Sequence, residues 1–122
     1  MHQQLIEKTQ EASQRWQSCF NQGDAAGCAS MYEQAADMHA KPFGQYKNQK
    51  DIQVFWQQLI DQGFTDVRYI EPNIEVVDNQ TTLLTSKWAM NNAQGVITRE
   101  LWVMQEDGEM RLREDHFEAT EA

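Results

Sequence analysis

Basic residues, cysteine, proline and glycine are all scarce in this chain, and each shortage narrows what it can be. Ten Lys and Arg stand against 19 Asp and Glu in 122 residues, a formal net charge of −9. A domain this acidic repels phosphate backbones and anionic lipid, which sets aside nucleic acid and membrane surfaces as partners. No apolar run approaches the length that spans a bilayer. The N-terminal stretch MHQQLIEKTQEASQ has no apolar core of the kind a secretion signal needs, so the expected compartment is the cytoplasm. The two cysteines, Cys19 and Cys28, sit at apolar positions of a helical pattern. They read as small buried hydrophobes, not as a disulfide or a redox pair. His2, His39 and His116 have no metal-ligand spacing, no glycine-rich phosphate loop is present, and no Cys or Ser sits in a nucleophile motif. No metal and no cofactor is therefore expected. With two prolines and six glycines there is no linker to divide the chain, and residues 1–122 read as one domain.

What is present is enough for a core: 40% hydrophobic residues, 10% of the chain aromatic. The 16 glutamines are scattered and form no low-complexity tract. Leu5, Ile6, Thr9, Ala12, Trp16, Cys19 and Phe20 recur at three- and four-residue spacing and predict a first helix. Asn21-Gln22-Gly23-Asp24 stops it and caps a short second helix with Ala25, Cys28, Ala29 and Tyr32 on its stripe. A third helix carries Ile52, Phe55, Trp56, Leu59 and Ile60 behind an Asn48–Asp51 capping pair and ends at Gly63. Between the second and third lie a short extended piece, Asp37 to Lys41, and a Pro42-Phe43-Gly44 turn. After Gly63 the period falls to two. Four extended runs follow, Thr65–Val77, Thr81–Asn91, Val96–Gln105 and Met110–Ala119, with a bulge or bend expected at Pro72. Helices first and antiparallel strands after is an α+β order. In the third run both parities are mainly apolar: Val96, Thr98, Glu100, Trp102 and Met104 on one, Ile97, Arg99, Leu101 and Val103 on the other. Three helices cover one sheet face, so the other calls for a partner, and a homodimer is expected.

Arg15-Trp16, Asn21-Gln22-Gly23-Asp24, Met31-Tyr32, Pro42-Phe43-Gly44-Gln45 and Ile52 to Trp56 together resemble the ketosteroid-isomerase and SnoaL-like branch of the nuclear-transport-factor-2-like superfamily. The resemblance covers nearly the whole chain and is strongest from Trp16 to Trp56. It implies a cystatin-like α+β barrel: a cone-shaped, curved mixed or antiparallel sheet wrapped around three helices, with an apolar pocket and a dimer through the outer sheet face. In the steroid isomerases of that family an Asp base precedes the Pro-Phe-Gly turn, and Lys41 stands there. A first-helix Tyr donor is matched by Trp16, and a protonated Asp on a late strand by Glu100. A Lys41–Glu100 pair would keep both groups charged, and an indole offers no acidic O–H, so authentic ketosteroid isomerisation is not expected.

The resemblance places Asp37, His39 and Lys41, which share a parity, in the pocket, with His39 as base oriented by Asp37 and Lys41 as an electrostatic donor. The alternative is that Asp37 lies at the mouth and His39 is a satisfied wall residue. It also turns Arg113, Asp115 and Phe117 inward, where Arg and Asp beside Glu100 would polarise an oxygen, or else form a salt-bridged sheet face. His116 falls on the other side. Phe20, Phe55 and Trp56 read as core, while Trp16, Phe43, Trp88, Met90, Trp102 and Phe117 read as walls. The expected function is metal-free acid/base isomerisation, cyclisation or dehydration of a small apolar oxygenated molecule, with Glu100 first among the acting groups. The alternative is a non-catalytic ligand-binding or protein-interaction dimer module.

Overall fold

The computed structural model describes residues 2–120. Its first helix, α1 (His2–Asn21), buries the stripe read above: Leu5, Thr9, Ala12, Trp16 and Phe20 are all inside. Gly23, at φ 77°, closes it, with its own N–H on the Phe20 carbonyl and the Asp24 N–H on the Cys19 carbonyl. Asp24 then caps α2 (Ala25–Ser30) by accepting the Gly27 N–H at 2.9 Å. Cys28 is fully buried and Cys19 partly so; both thiols are free. Tyr32 does not continue the helical stripe. It opens β1 (Tyr32–Lys41), because the Met31 carbonyl is taken by the Leu112 N–H and the chain is drawn into the sheet. The turn at Pro42 and Phe43 leads into β2 (Gly44–Lys47), too short and polar to show a period. Then α3 (Asn48–Asp61) starts with the Asp51 N–H on the Asn48 side chain, the expected capping pair, and buries Ile52, Phe55 and Trp56.

The rest is sheet: β3 (Arg68–Asp78), β4 (Thr81–Ala89), β5 (Gln94–Met104) and β6 (Met110–Thr120). The six strands run β2-β1-β6-β5-β4-β3, with β1 parallel to β6 and every other pair antiparallel. The sheet is mixed, as expected, but it does not close into a barrel: β2 and β3 are free edges. The helices lie on one face. A buried Thr9–Thr82 hydroxyl contact of 2.7 Å ties α1 to β4, and Trp16, Phe20 and Trp56 pack ring on ring between helices and sheet. No helix among the described residues is long and apolar enough to cross a membrane.

Bulges decide which side chains face inward. One falls between Ile70 and Asn73, around Pro72, where a bend was expected. Two more interrupt the β5–β6 ladder, leaving Thr98 and Arg113 without a partner across it. Each extra residue resets the alternation. Ile97 and Glu100 therefore share the inner face, as do Leu112 and Asp115, although simple parity separates both pairs.

Gly95 is required by close approach. A Cβ there would collide with the Glu118 carbonyl oxygen and sit 2.7 Å from the Trp88 indole, which lies across it from β4. Gly95→Ala is expected to cost about 2 kcal/mol or more, lowering the melting temperature by roughly 5–10 °C. An unchanged urea or thermal midpoint would contradict this packing.

Candidate active site

A cavity of about 70 Å³ lies between α1, α3 and the inner sheet face. It is walled by Trp16, Trp56, Trp88, Ile97 and Phe117, and Phe43, 55% exposed, marks its mouth. An enclosed cavity of about 150 Å³ holds a benzene ring, so this one takes part of a ring and leaves the remainder at the mouth. Among the described residues no Lys, Arg or His lines it, and its ionisable lining residues are Glu100, Asp115 and Tyr69.

The β5–β6 register sets Glu100 directly opposite Asp115, and both are nearly inaccessible, at 2% and 4% exposure. Neighbours from four elements hold them. The Tyr69 hydroxyl on β3 donates to Glu100 Oε2 at 2.6 Å, and the Trp102 indole donates to Oε1 at 2.9 Å. The Tyr32 hydroxyl on β1 donates to Asp115 Oδ2 at 2.6 Å and itself accepts from the Trp56 indole on α3 at 3.3 Å. Among the described residues, Asp115 Oδ1 finds no partner, and neither do the indole nitrogens of Trp16 and Trp88.

Burial first, and then the charge of Asp115, pushes the Glu100 carboxyl up to about 8; burial pushes Asp115 up to about 7. Two carboxylates in one dry site do not both ionise cheaply, and no cation is at hand, so the pair keeps a proton near neutral pH and titrates as a unit. Burial and the same carboxyls hold both tyrosine hydroxyls well above their ordinary range, so both stay protonated donors. The site thus offers a proton acceptor with a bare oxygen beside a carboxyl that holds a proton, inside an apolar wall.

Of the residues read from the sequence, Glu100, Asp115, Trp16, Phe43, Trp88, Met90 and Phe117 line the cavity. Trp102 stands behind it, fully buried, as a donor to Glu100. Trp56, expected to be plain core, is part of the wall. Asp37, His39 and Lys41 do share a face, but it is the outer one. The apolar parity Ala36, Met38 and Ala40 takes the interior, since burying alanine and methionine costs nothing comparable to burying charge. His39 meets Asp37 at 3.3 Å and stacks on His116 with ring centres 4.2 Å apart, while Lys41 pairs with Glu118 at 3.6 Å. The expected Lys41–Glu100 pair is therefore not formed, and the reason for a permanently ionised Glu100 goes with it. Arg113 is also outside: its bulge turns it to solvent and to Glu33 at 2.8 Å. His116 lies on the outer face, as expected. Tyr32 and Tyr69 were not singled out by sequence, because their partners are 83 and 31 residues away. The side chain of His2 lies outside the described residues; among those described, no group of three His, Cys, Asp or Glu is placed to hold a metal.

No protein-family model matches this sequence, and no curated protein does. Solved structures do. A protein of unknown function with a cystatin-like fold from Nostoc punctiforme matches with a TM-score of 0.82 at 10% identity, over 96% of this chain and 92% of its own. The chain has the cystatin-like fold. A candidate scytalone dehydratase from Novosphingobium aromaticivorans shares it with a TM-score of 0.81 at 8% identity, over 95% of this chain and 84% of its own. So does a ketosteroid isomerase-like protein from Erwinia carotovora atroseptica, with a TM-score of 0.78 at 10% identity, over 93% and 94%. The fold that the resemblance carried by Trp16 to Trp56 implies is borne out: it is cystatin-like. Within the cystatin-like frame, the carboxyl pair sits on two adjacent central strands of the open sheet.

A carboxyl whose folded-state pKa is raised binds more protons in the folded than in the unfolded chain. Its contribution is complete below the ordinary carboxylate range and is lost as pH climbs toward about 8. Between about pH 5 and pH 8 stability is expected to fall by up to about 1.4 kcal/mol per pH unit for each proton so held, and to level off above that. Glu100→Gln can still accept from Trp102 and donate to Tyr69, so it should melt several degrees above the parent at pH 8.5 and show a flatter profile. A parent whose melting temperature is level across this range, or a Gln variant with the parental slope, contradicts the assignment.

Proposed function

We propose that the cavity holds a small, apolar, oxygenated molecule and that Asp115 and Glu100 exchange protons with it. The observation that carries this reading is Asp115 Oδ1: a buried carboxyl oxygen of a cavity-lining residue, without a partner among the described residues, next to a second carboxyl that keeps its proton. A proton leaves a carbon or hydroxyl of the substrate for Asp115 Oδ1, and the proton on Glu100 passes to an oxygen or carbon of the same molecule. Isomerisation, dehydration and cyclisation all follow this scheme, and each balances without a further reactant. The apolar wall keeps the exchanging proton from solvent and strengthens the charge interactions inside.

The scheme needs Asp115 ionised and Glu100 protonated, so turnover should be bell-shaped in pH with its maximum between about 7 and 8. The assay is a panel of small unsaturated ketones and hydroxy ketones. Asp115→Asn should lower the rate about a hundredfold or more while leaving binding within a few-fold. Full activity in that variant would defeat the proposal. Binding of panel members with every one recovered unchanged would leave a ligand-binding module.

We also propose that a second copy of the chain covers the outer sheet face. Leu83 and Leu101 pair across β4 and β5 on the side away from the helices, beside the Arg99–Glu114 ion pair. An apolar strip flanked by charges of both signs suits a two-fold contact. Sedimentation should give twice the 14.2 kDa chain mass, and Leu101→Glu should return the single-chain value. A monomer in the unmodified protein would end this proposal.

A further inference from the structure

We infer that the indole N–H groups of Trp16 and Trp88 are the oxygen-recognising donors of the cavity, and that its ligand is an uncharged molecule presenting a carbonyl oxygen. This rests on the ligand-site reading above and goes on to say which atoms choose the ligand. Four tryptophans stand around the carboxyl pair. Trp56 and Trp102 spend their N–H groups inside the chain, on Tyr32 and Glu100. Trp16 and Trp88 find no acceptor among the described residues, although both are more than nine-tenths buried and both line the cavity. A buried donor left without an acceptor is costly, and native interiors seldom hold two in one place without a use for them. Both rings are fixed. Trp16 stacks on Phe20 and meets Trp56 edge-on, with ring centres 5.6 and 4.9 Å away. Trp88 lies across Gly95 and meets Phe117 edge-on at 6.2 Å. Donors held this firmly need no reordering when an oxygen arrives.

Charge excludes the other ligand classes. Among the described residues the lining has two carboxyls and no cation, so an anion would enter against them. An organic ammonium would satisfy the carboxyls and leave both indole donors empty. A neutral carbonyl compound supplies the missing acceptor, and its adjacent C–H or O–H is what Asp115 Oδ1 would meet. An indole N–H only donates and does not titrate in this range, so oxygen recognition does not change as the carboxyl pair gains or loses its proton.

The four indole N–H signals of the ¹⁵N-labelled protein give a direct test, with Trp56 and Trp102 as internal references. Cyclohexanone, cyclohexylammonium and cyclohexanecarboxylate share one ring and differ in charge. The ketone should shift the Trp16 and Trp88 signals saturably and leave the other two in place, and the carboxylate should not bind. Trp16→Phe and Trp88→Phe keep a ring and lose the donor, and each should weaken ketone binding roughly five-fold. Ketone binding that moves neither signal overturns this inference alone and leaves the acid/base proposal standing. So does tighter binding of either charged probe. If none of the three binds, the ligand-site reading falls as well.

Discussion

Glu100 and Asp115 face each other across adjoining antiparallel strands, both shut away from water, and the interior is arranged around what that costs. Ionising both would place two like charges in an apolar site with no cation to offset them. The chain meets the cost with retained protons and with donors. Tyr69, Trp102 and Tyr32 each give a hydrogen bond to a carboxyl oxygen, and Trp56 supports Tyr32 from behind. One oxygen and two indole nitrogens are left out of this network, all from residues that line the cavity. That remainder is what the proposed proton exchange would use.

The backbone supplies the arrangement through irregularity. Regular alternation on β6 would turn Arg113 inward beside Asp115, where it would form an ion pair and hold Asp115 charged. The extra residue at Arg113 sends the guanidinium outside to Glu33 and leaves Asp115 without a counter-ion. The slip at Thr98 does the same for the wall, bringing Ile97 onto the face that carries Glu100. On β1 the small and apolar residues Ala36, Met38 and Ala40 face in, and the charged parity faces out. Among the described residues the site is free of cations because β1 and β6 independently turn theirs away.

The helices and their caps were legible because their signals are local: a 3.6-residue stripe through Trp16, a glycine after Asn21, an aspartate at position 24. The strands were legible from their turns, apart from β2, whose four residues carry no pattern. Glu100 and Asp115 were found, but the polarity of β1 was taken from a family likeness, while the chain's own Ala-Met-Ala parity pointed the other way. Arg113 was misplaced because counting by twos cannot detect a bulge. The tyrosines were missed for a different reason. What brings Tyr32 and Tyr69 to the carboxyl pair is a partner far along the chain, and that pairing exists only once the sheet has formed.

Tyr69, the donor to Glu100, belongs to β3, a sheet edge with one neighbouring strand, interrupted at Pro72 and carrying Glu71 at φ 56°. The inner acid is thereby tied to an edge strand of the sheet. When that margin frays, Glu100 loses a hydrogen bond and meets water, and its hold on the proton relaxes toward that of a free glutamic acid. Breathing at the rim of the sheet is in this way transmitted to acidity at its centre, with no hinge, lid or second domain in between.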